Sequence, residues 1–211
     1  MRVRLRGVSK GKAGRALPRT SLSYETGEVT LAIAETEQRP TVLGLIASGR
    51  MRPDAGTVTI DDREDPRALR RAIALVDAPD ISEPEPNVAT SGVVAEELMF
   101  AGRPPTPFAA RRWLGRFSLG RVAGTDIGEV DPGTRVRILL ELAAMREGVA
   151  GIVLVSPDRH GGSPAVWWRL AHEFADRGLA MLVISGVASR MVLDPASPDS
   201  VAEPVSRRSR T

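Results

Sequence analysis

Residues 27–60 read GEVTLAIAETEQRPTVLGLIASGRMRPDAGTVTI, and the fold turns on how they are parsed. Val29 to Ala34, VTLAIA, is apolar on both faces, as a strand covered on each side must be. The loop Ala34 to Pro40, AETEQRP, leads into a helical pattern with Val42, Leu45, Ile46 and Gly49 on one face. Proline suits the first helical position, because its missing N–H would be unpaired there anyway. Arg52-Pro53-Asp54-Ala55-Gly56 is a turn by composition, and TVTI after it is a strand. The stretch is therefore a strand–loop–helix unit followed by a return strand.

Upstream, Val3 and Leu5 alternate with arginines, which fits a strand with one solvated face, and Gly11 to Gly14 is a loop. Leu22 to Tyr24 reads as a strand joined to Val29–Ala34 by a tight turn at Thr26-Gly27. Downstream, Asp65 to Arg71 is a short polar helix and Ala72 to Val76 a buried strand. Asp77 to Asn87 holds three prolines and four acids, and no regular element survives that density of breakers. Amphipathic helices follow at about Thr90–Ala101, Pro107–Phe117 and Thr134–Glu147. Gly151–Val155 and Leu179–Ile184 are buried strands around a helix capped at Ser163-Pro164, with Trp167, Leu170, Ala171 and Phe174 on one face and Gly178 as its stop. From Ser189 onward, prolines, serines and Arg207-Arg208-Ser209-Arg210 read as a disordered tail. Alternating buried strands and helices give an α/β fold with a mostly parallel sheet.

Composition narrows the chemistry. The chain has 211 residues, 42% hydrophobic and 26% charged, enough to bury a sizeable core. Without cysteine there is no disulfide, thiolate metal site or cysteine nucleophile. Two histidines, His160 and His172, leave little for a histidine-rich metal centre. Of 29 basic residues only Lys10 and Lys12 are lysines, so no lysine downstream can hold a phosphate. Net charge is only +3, so overall charge demands no polyanionic partner. The longest apolar stretch, Leu179 to Ala188, is broken by Ser185-Gly186 and falls short of the ~20 residues that span a bilayer. No signal-peptide core follows the N-terminal MRVRLRGV, and the expected location is cytoplasmic.

In an α/β fold of this kind, phosphates bind where a central strand enters its helix, because unpaired N–H groups and the positive dipole end meet there. The loop AETEQRP has no glycine to adopt left-handed backbone angles. Glu35 and Glu37 place negative charge where an anion would sit, and Pro40 removes an N–H donor. This loop resists phosphate.

Residues 27–60 nevertheless resemble, without a gap, the nucleotide-binding stretch of the ATP-binding cassette (ABC) ATPases, at Gly27, Glu28, Gly49, Pro53, Asp54 and Gly56. The resemblance implies a P-loop NTPase-like α/β domain over residues 1–188, with N-terminal antiparallel strands and a helical subdomain at about 77–147. It places the family's phosphate-binding glycines at Ala34, Glu37 and Arg39, and the Walker A lysine at Pro40. Thr41 alone is retained in kind, at the hydroxyl that binds magnesium. Val130 to Thr134, VDPGT, resembles the signature motif, and IVLVSP the Walker B strand. The magnesium-binding aspartate then falls on Val155 or Ser156 and the catalytic glutamate on Ser156 or Pro157. The glutamine of the family falls near Asp77 or Ala78, and its switch histidine on Ser185 or Gly186.

Other candidates read more simply as structure. Asp158-Arg159-His160 suggests acid–base chemistry but has no nucleophile beside it in sequence, so a solvated loop is expected. His172 shares a helix with Trp167 and Trp168, which read as core or interface anchors. Glu96-Glu97 reads as an exposed helix face. The expected function is a non-catalytic ABC ATPase-like subunit or binding module, with no cofactor. A divergent subunit that still uses ATP and magnesium, and a nucleic-acid binder using the arginine tail, are the alternatives. The resemblance implies a protein partner, a membrane subunit or an intact ABC ATPase, at the inner face of the membrane. Arg111, Arg112, Trp113 and Arg116 are the best contact cluster for it.

Overall fold

The computed structural model describes residues 1–35 and 39–193. Its strands are β1 (Arg2–Lys10), β2 (Leu17–Glu25), β3 (Val29–Ile33), β4 (Ala55–Ile60), β5 (Ile73–Val76), β6 (Gly151–Val155) and β7 (Ala180–Ser185). Its helices are α1 (Arg39–Ala47), α2 (Pro66–Ala72), α3 (Thr90–Phe100), α4 (Pro107–Arg116), α5 (Pro132–Ala144), α6 (Pro164–Asp176) and α7 (Val187–Leu193).

The strands make two sheets: an antiparallel one ordered β2-β1-β4 and a parallel one ordered β3-β7-β6-β5. The hairpin implied by the turn at Thr26-Gly27 does not form. β2 pairs with β1, whereas β3 pairs in parallel with β7, and the turn carries the chain from one sheet to the other. Gly27 adopts φ +83° there, and its N–H donates to Leu179 O rather than across a hairpin.

Side-chain alternation on the parallel strands feeds two cores. Val153, Val155, Leu182 and Ile184 face α1 and the antiparallel sheet, packing on Val42, Leu43, Ile46, Val3, Leu5 and Tyr24. Ile152, Leu154, Met181 and Val183 face the opposite way, onto α5 and α6 through Val136, Leu139, Leu140, Leu170 and Phe174. Both faces are covered, which is why these strands are apolar throughout. A third core joins α3 and α4 to the outer side of α5 through Val94, Leu98, Trp113, Leu114, Ile138 and Leu142. Trp113 is therefore buried, while its neighbours Arg111, Arg112 and Arg116 are exposed.

Two further expectations change. Gly11 to Gly14 is not irregular throughout, since Lys12–Gly14 closes a single 3₁₀ turn. The segment from Ser189 begins as helix, because α7 continues to Leu193 and Ser189 is buried. The remainder of the expected tail, residues 194–211, lies outside the described residues.

Candidate functional site

Strands β3, β7, β6 and β5 run in parallel, so their carboxyl ends form one edge, the place where open α/β sheets bind ligands. The sequence-predicted positions gather there. Ala34 follows β3, with its N–H donating to Ser185 O at 3.1 Å. Arg39, Pro40 and Thr41 form the first turn of α1, half-buried, and Glu37 lies outside the described residues. Gly44 packs α1 close to the sheet: a Cβ there would come within 2.8 Å of Val155 Cγ2.

Two carboxylates at this edge are hydrogen-bonded to the chain itself. Glu35 accepts a hydrogen bond from Val187 N, at the start of α7. Asp158 Oδ2 accepts from Gly186 N at 2.9 Å and from the Ser189 hydroxyl at 3.0 Å. Gly186 passes between them, and a Cβ on it would lie 3.0 Å from Glu35 Oε1 and 3.2 Å from Asp158 Oδ2. Two side-chain anions thus meet the N–H groups that begin α7.

At the other end of this edge Asp77 leaves β5 fully buried, in the left-handed region at φ +57°. Arg135 Nη2 of α5 donates to its Oδ1 at 2.7 Å, and this arginine is only 2% exposed. Arg159 donates to Asp77 O at 2.6 Å and to Oδ1 at 3.1 Å, and pairs with Glu83 at 2.9 Å. His160 Nε2 donates to Asp77 Oδ2 at 2.9 Å. Burial alone would push the Asp77 carboxyl up. The His160 hydrogen bond, with the charges of Arg135 and Arg159, outweighs burial and holds it below the ordinary carboxylate value.

Asp158-Arg159-His160 is therefore not a solvated loop. It is a turn, Pro157–His160, entered through Ser156 in the left-handed region at φ 48°, and all three side chains bind inward. Their partners lie far away in sequence, which is why local composition misreads them. One signal was available: Asp77 directly follows the buried run IALV, and an acid in that place must find partners. His172, by contrast, is exposed and stands edge-on to Trp168, with ring centroids 5.1 Å apart. Glu97 is not simply exposed, since Arg146 pairs with it.

The signature-like segment does local work. Asp131 caps α5, accepting from Thr134 N at 3.0 Å, with Pro132 in the first turn. Among the described residues, no cluster of three His, Asp or Glu side chains is arranged to hold a metal ion.

The two sheets, the flanking helices and the helical excursion between β5 and α5 recur in solved structures. The chain has the fold of an ABC transporter's ATP-binding cassette. It superposes on a nucleotide-free ATP-binding cassette from an ABC transporter with TM-score 0.62 and 18% identity, covering 92% of this chain and 85% of that one. The ADP conformation of another such cassette gives TM-score 0.61 and 19% identity, covering 88% and 82%. An ATP-binding subunit of an ABC transporter gives 0.59 and 17%, covering 90% and 82%. No protein-family model and no curated protein matches the sequence. Among the described residues of the cassette fold, no helix is long and apolar enough to cross a membrane.

Proposed function

We propose that this chain is a non-catalytic member of the cassette fold, a subunit or binding module that works through a protein partner. The observation that carries the reading is the occupied edge of the parallel sheet. Magnesium triphosphate needs free N–H donors, a cation for the phosphates and acids for the metal. Here Gly186 and Val187 N–H are taken by Asp158 and Glu35, and Asp77 is taken by Arg135, Arg159 and His160. Pro40 has no N–H, and β6 ends in Val155 and Ser156 rather than acids. Thr41 keeps a hydroxyl in the first turn of α1, and the loop sequence before it, AETEQRP, contains no glycine. The residues present do not fit magnesium triphosphate.

The partner surface belongs to the α3–α4 helices. Arg111, Arg112 and Arg116 are exposed there, together with Met99, Phe100 and Phe108, which are 52%, 61% and 76% exposed. Apolar side chains beside arginines are the usual anchors of an interface. Trp113 supports this surface from beneath, packed on Phe117 with ring centroids 4.7 Å apart. Two experiments test the reading. Arg112→Glu with Arg116→Glu should abolish co-purification with the native membrane or cassette partner while leaving the fold intact; an unaltered complex, or a monomer with no associate, removes the binding role. Pro40→Lys should show no ATP turnover, because groups that act as a unit are not restored one at a time; measurable turnover by that variant contradicts the claim that several elements are independently lost.

A further inference from the structure

Between β5 and α5 the chain leaves the sheet, builds α3 and α4, and returns. The outgoing residues 77–89 and the returning residues 123–131 run side by side as a neck. Thr90 N and its hydroxyl both donate to Thr125 O at 2.8 Å, Ile127 N to Val88 O at 2.9 Å, and Gly128 N to Pro86 O at 2.9 Å. The neck is thus one unit made of two chain segments.

The Asp77 cluster holds both segments of that neck. On the outgoing side, Glu83 pairs with Arg159, and the Ser82 hydroxyl accepts from Ala78 N at 3.1 Å. On the returning side, Ile127 O lies 3.4 Å from Arg135 Nη1. Arg135 comes from α5 and Arg159 and His160 from the turn after β6, so the grip reaches from the neck into the sheet layer. All three cationic or donor groups converge on one carboxylate that is itself 0% exposed. Asp77 takes a left-handed backbone angle, unusual for a residue other than glycine, to turn that carboxylate inward.

We infer that Asp77 is the centre of an ionic latch that fixes the α3–α4 helices in one orientation on the sheet. Opposite charges face each other within the latch: Arg135 and Arg159 stand against Asp77 and Glu83, and His160 Nε2 lies 2.9 Å from Asp77 Oδ2. Water is excluded from its centre, so taking away one member leaves a buried charge without compensation. The apolar contact of α3 and α4 with Ile138 and Leu142 holds these helices against α5. It is less directional than a carboxylate fixed by three donors, so the latch sets the angle at which they sit. This goes beyond the non-catalytic reading and does not depend on it, since a latch can form whether or not nucleotide binds.

Hydrogen exchange on the full chain, without nucleotide, tests the latch. Asp77→Asn keeps the shape and removes the charge. Amides of α3 and α4 should then accelerate roughly tenfold or more beyond any acceleration in β6 and β7, because the neck opens as a unit separate from the sheet. Arg159→Gln, at the solvent side of the cluster, should give a smaller acceleration confined to the same helices. Equal acceleration in every element means that Asp77 adds only to global stability, and no acceleration in α3 and α4 means that nothing is latched; either overturns the inference. Should Asp77→Asn fail to fold, Arg159→Gln and Glu83→Gln can be combined instead. A double variant no faster than Arg159→Gln alone supports the tie across the neck, and additive effects overturn it.

Discussion

Asp77 is a carboxylate that burial disfavours and its partners rescue. Because its folded-state pKa lies below the unfolded value near 3.8, it adds stability above that value and loses it as the pH falls through the folded one. The contribution is complete at pH 7, begins to fade below about pH 5, and is gone once the folded carboxyl has taken a proton. Asp77→Asn should cost about 3–5 kcal/mol in urea unfolding at pH 7, the range for breaking a buried ion pair. The difference between wild type and variant should shrink as the pH falls toward 3; a loss that stays constant across that window contradicts the assignment. Tyr24 offers a second, simpler test. Its hydroxyl donates to Ala47 O at 2.7 Å inside the core, and burial pushes the phenol up. Tyr24→Phe should lose about 1 kcal/mol, the net value of one hydrogen bond, plus any penalty for an unpaired Ala47 carbonyl. An unchanged midpoint in denaturant would show that the bond contributes nothing. At this scale the sequence was least legible. The charge of Glu35 and the missing N–H of Pro40 can be read from the loop sequence alone, but Asp77, Asp158, Arg159 and His160 acquire their partners only when distant segments meet.

Elements were far easier to read than the contacts between them. β6 has the expected limits at Gly151 and Val155, because an apolar run bounded by glycine and proline leaves little choice. α5 starts at Pro132, two positions ahead of the Thr134 expected from periodicity, since the Asp131 side chain caps the new first turn. The pairing of β2 was misjudged because a tight turn is compatible with a hairpin and with a change of sheet, and only the partners decide. Gly56 shows how narrow that pairing is. At φ +80° it lies against β1 so closely that a Cβ would overlap the carbonyl oxygens of Gly7 and Arg6. Backbone cannot yield as a side-chain tip can, so Gly56→Ala should cost about 1–3 kcal/mol or more in chemical denaturation. A variant as stable as wild type would mean that β1 and β4 do not meet as described.

For the whole molecule, the layered cassette fold was legible because it depends on the pattern of apolar strands and helices, which the sequence preserves along its length. The occupied edge of the sheet was legible only in part. Loop composition argued against phosphate, whereas the hydrogen bonds of Glu35 and Asp158 needed the positions of Val187 and Gly186. The fold therefore does not by itself assign an ATPase, and the residues at the edge must be weighed separately. Thermal unfolding with and without millimolar MgATP, with free magnesium as control, tests the central claim most directly. A ligand at 100 times its dissociation constant would add ~2.7 kcal/mol of stability, which a melting curve resolves easily. The account predicts superimposable curves; a clear upward shift with MgATP, absent with magnesium alone, would contradict it.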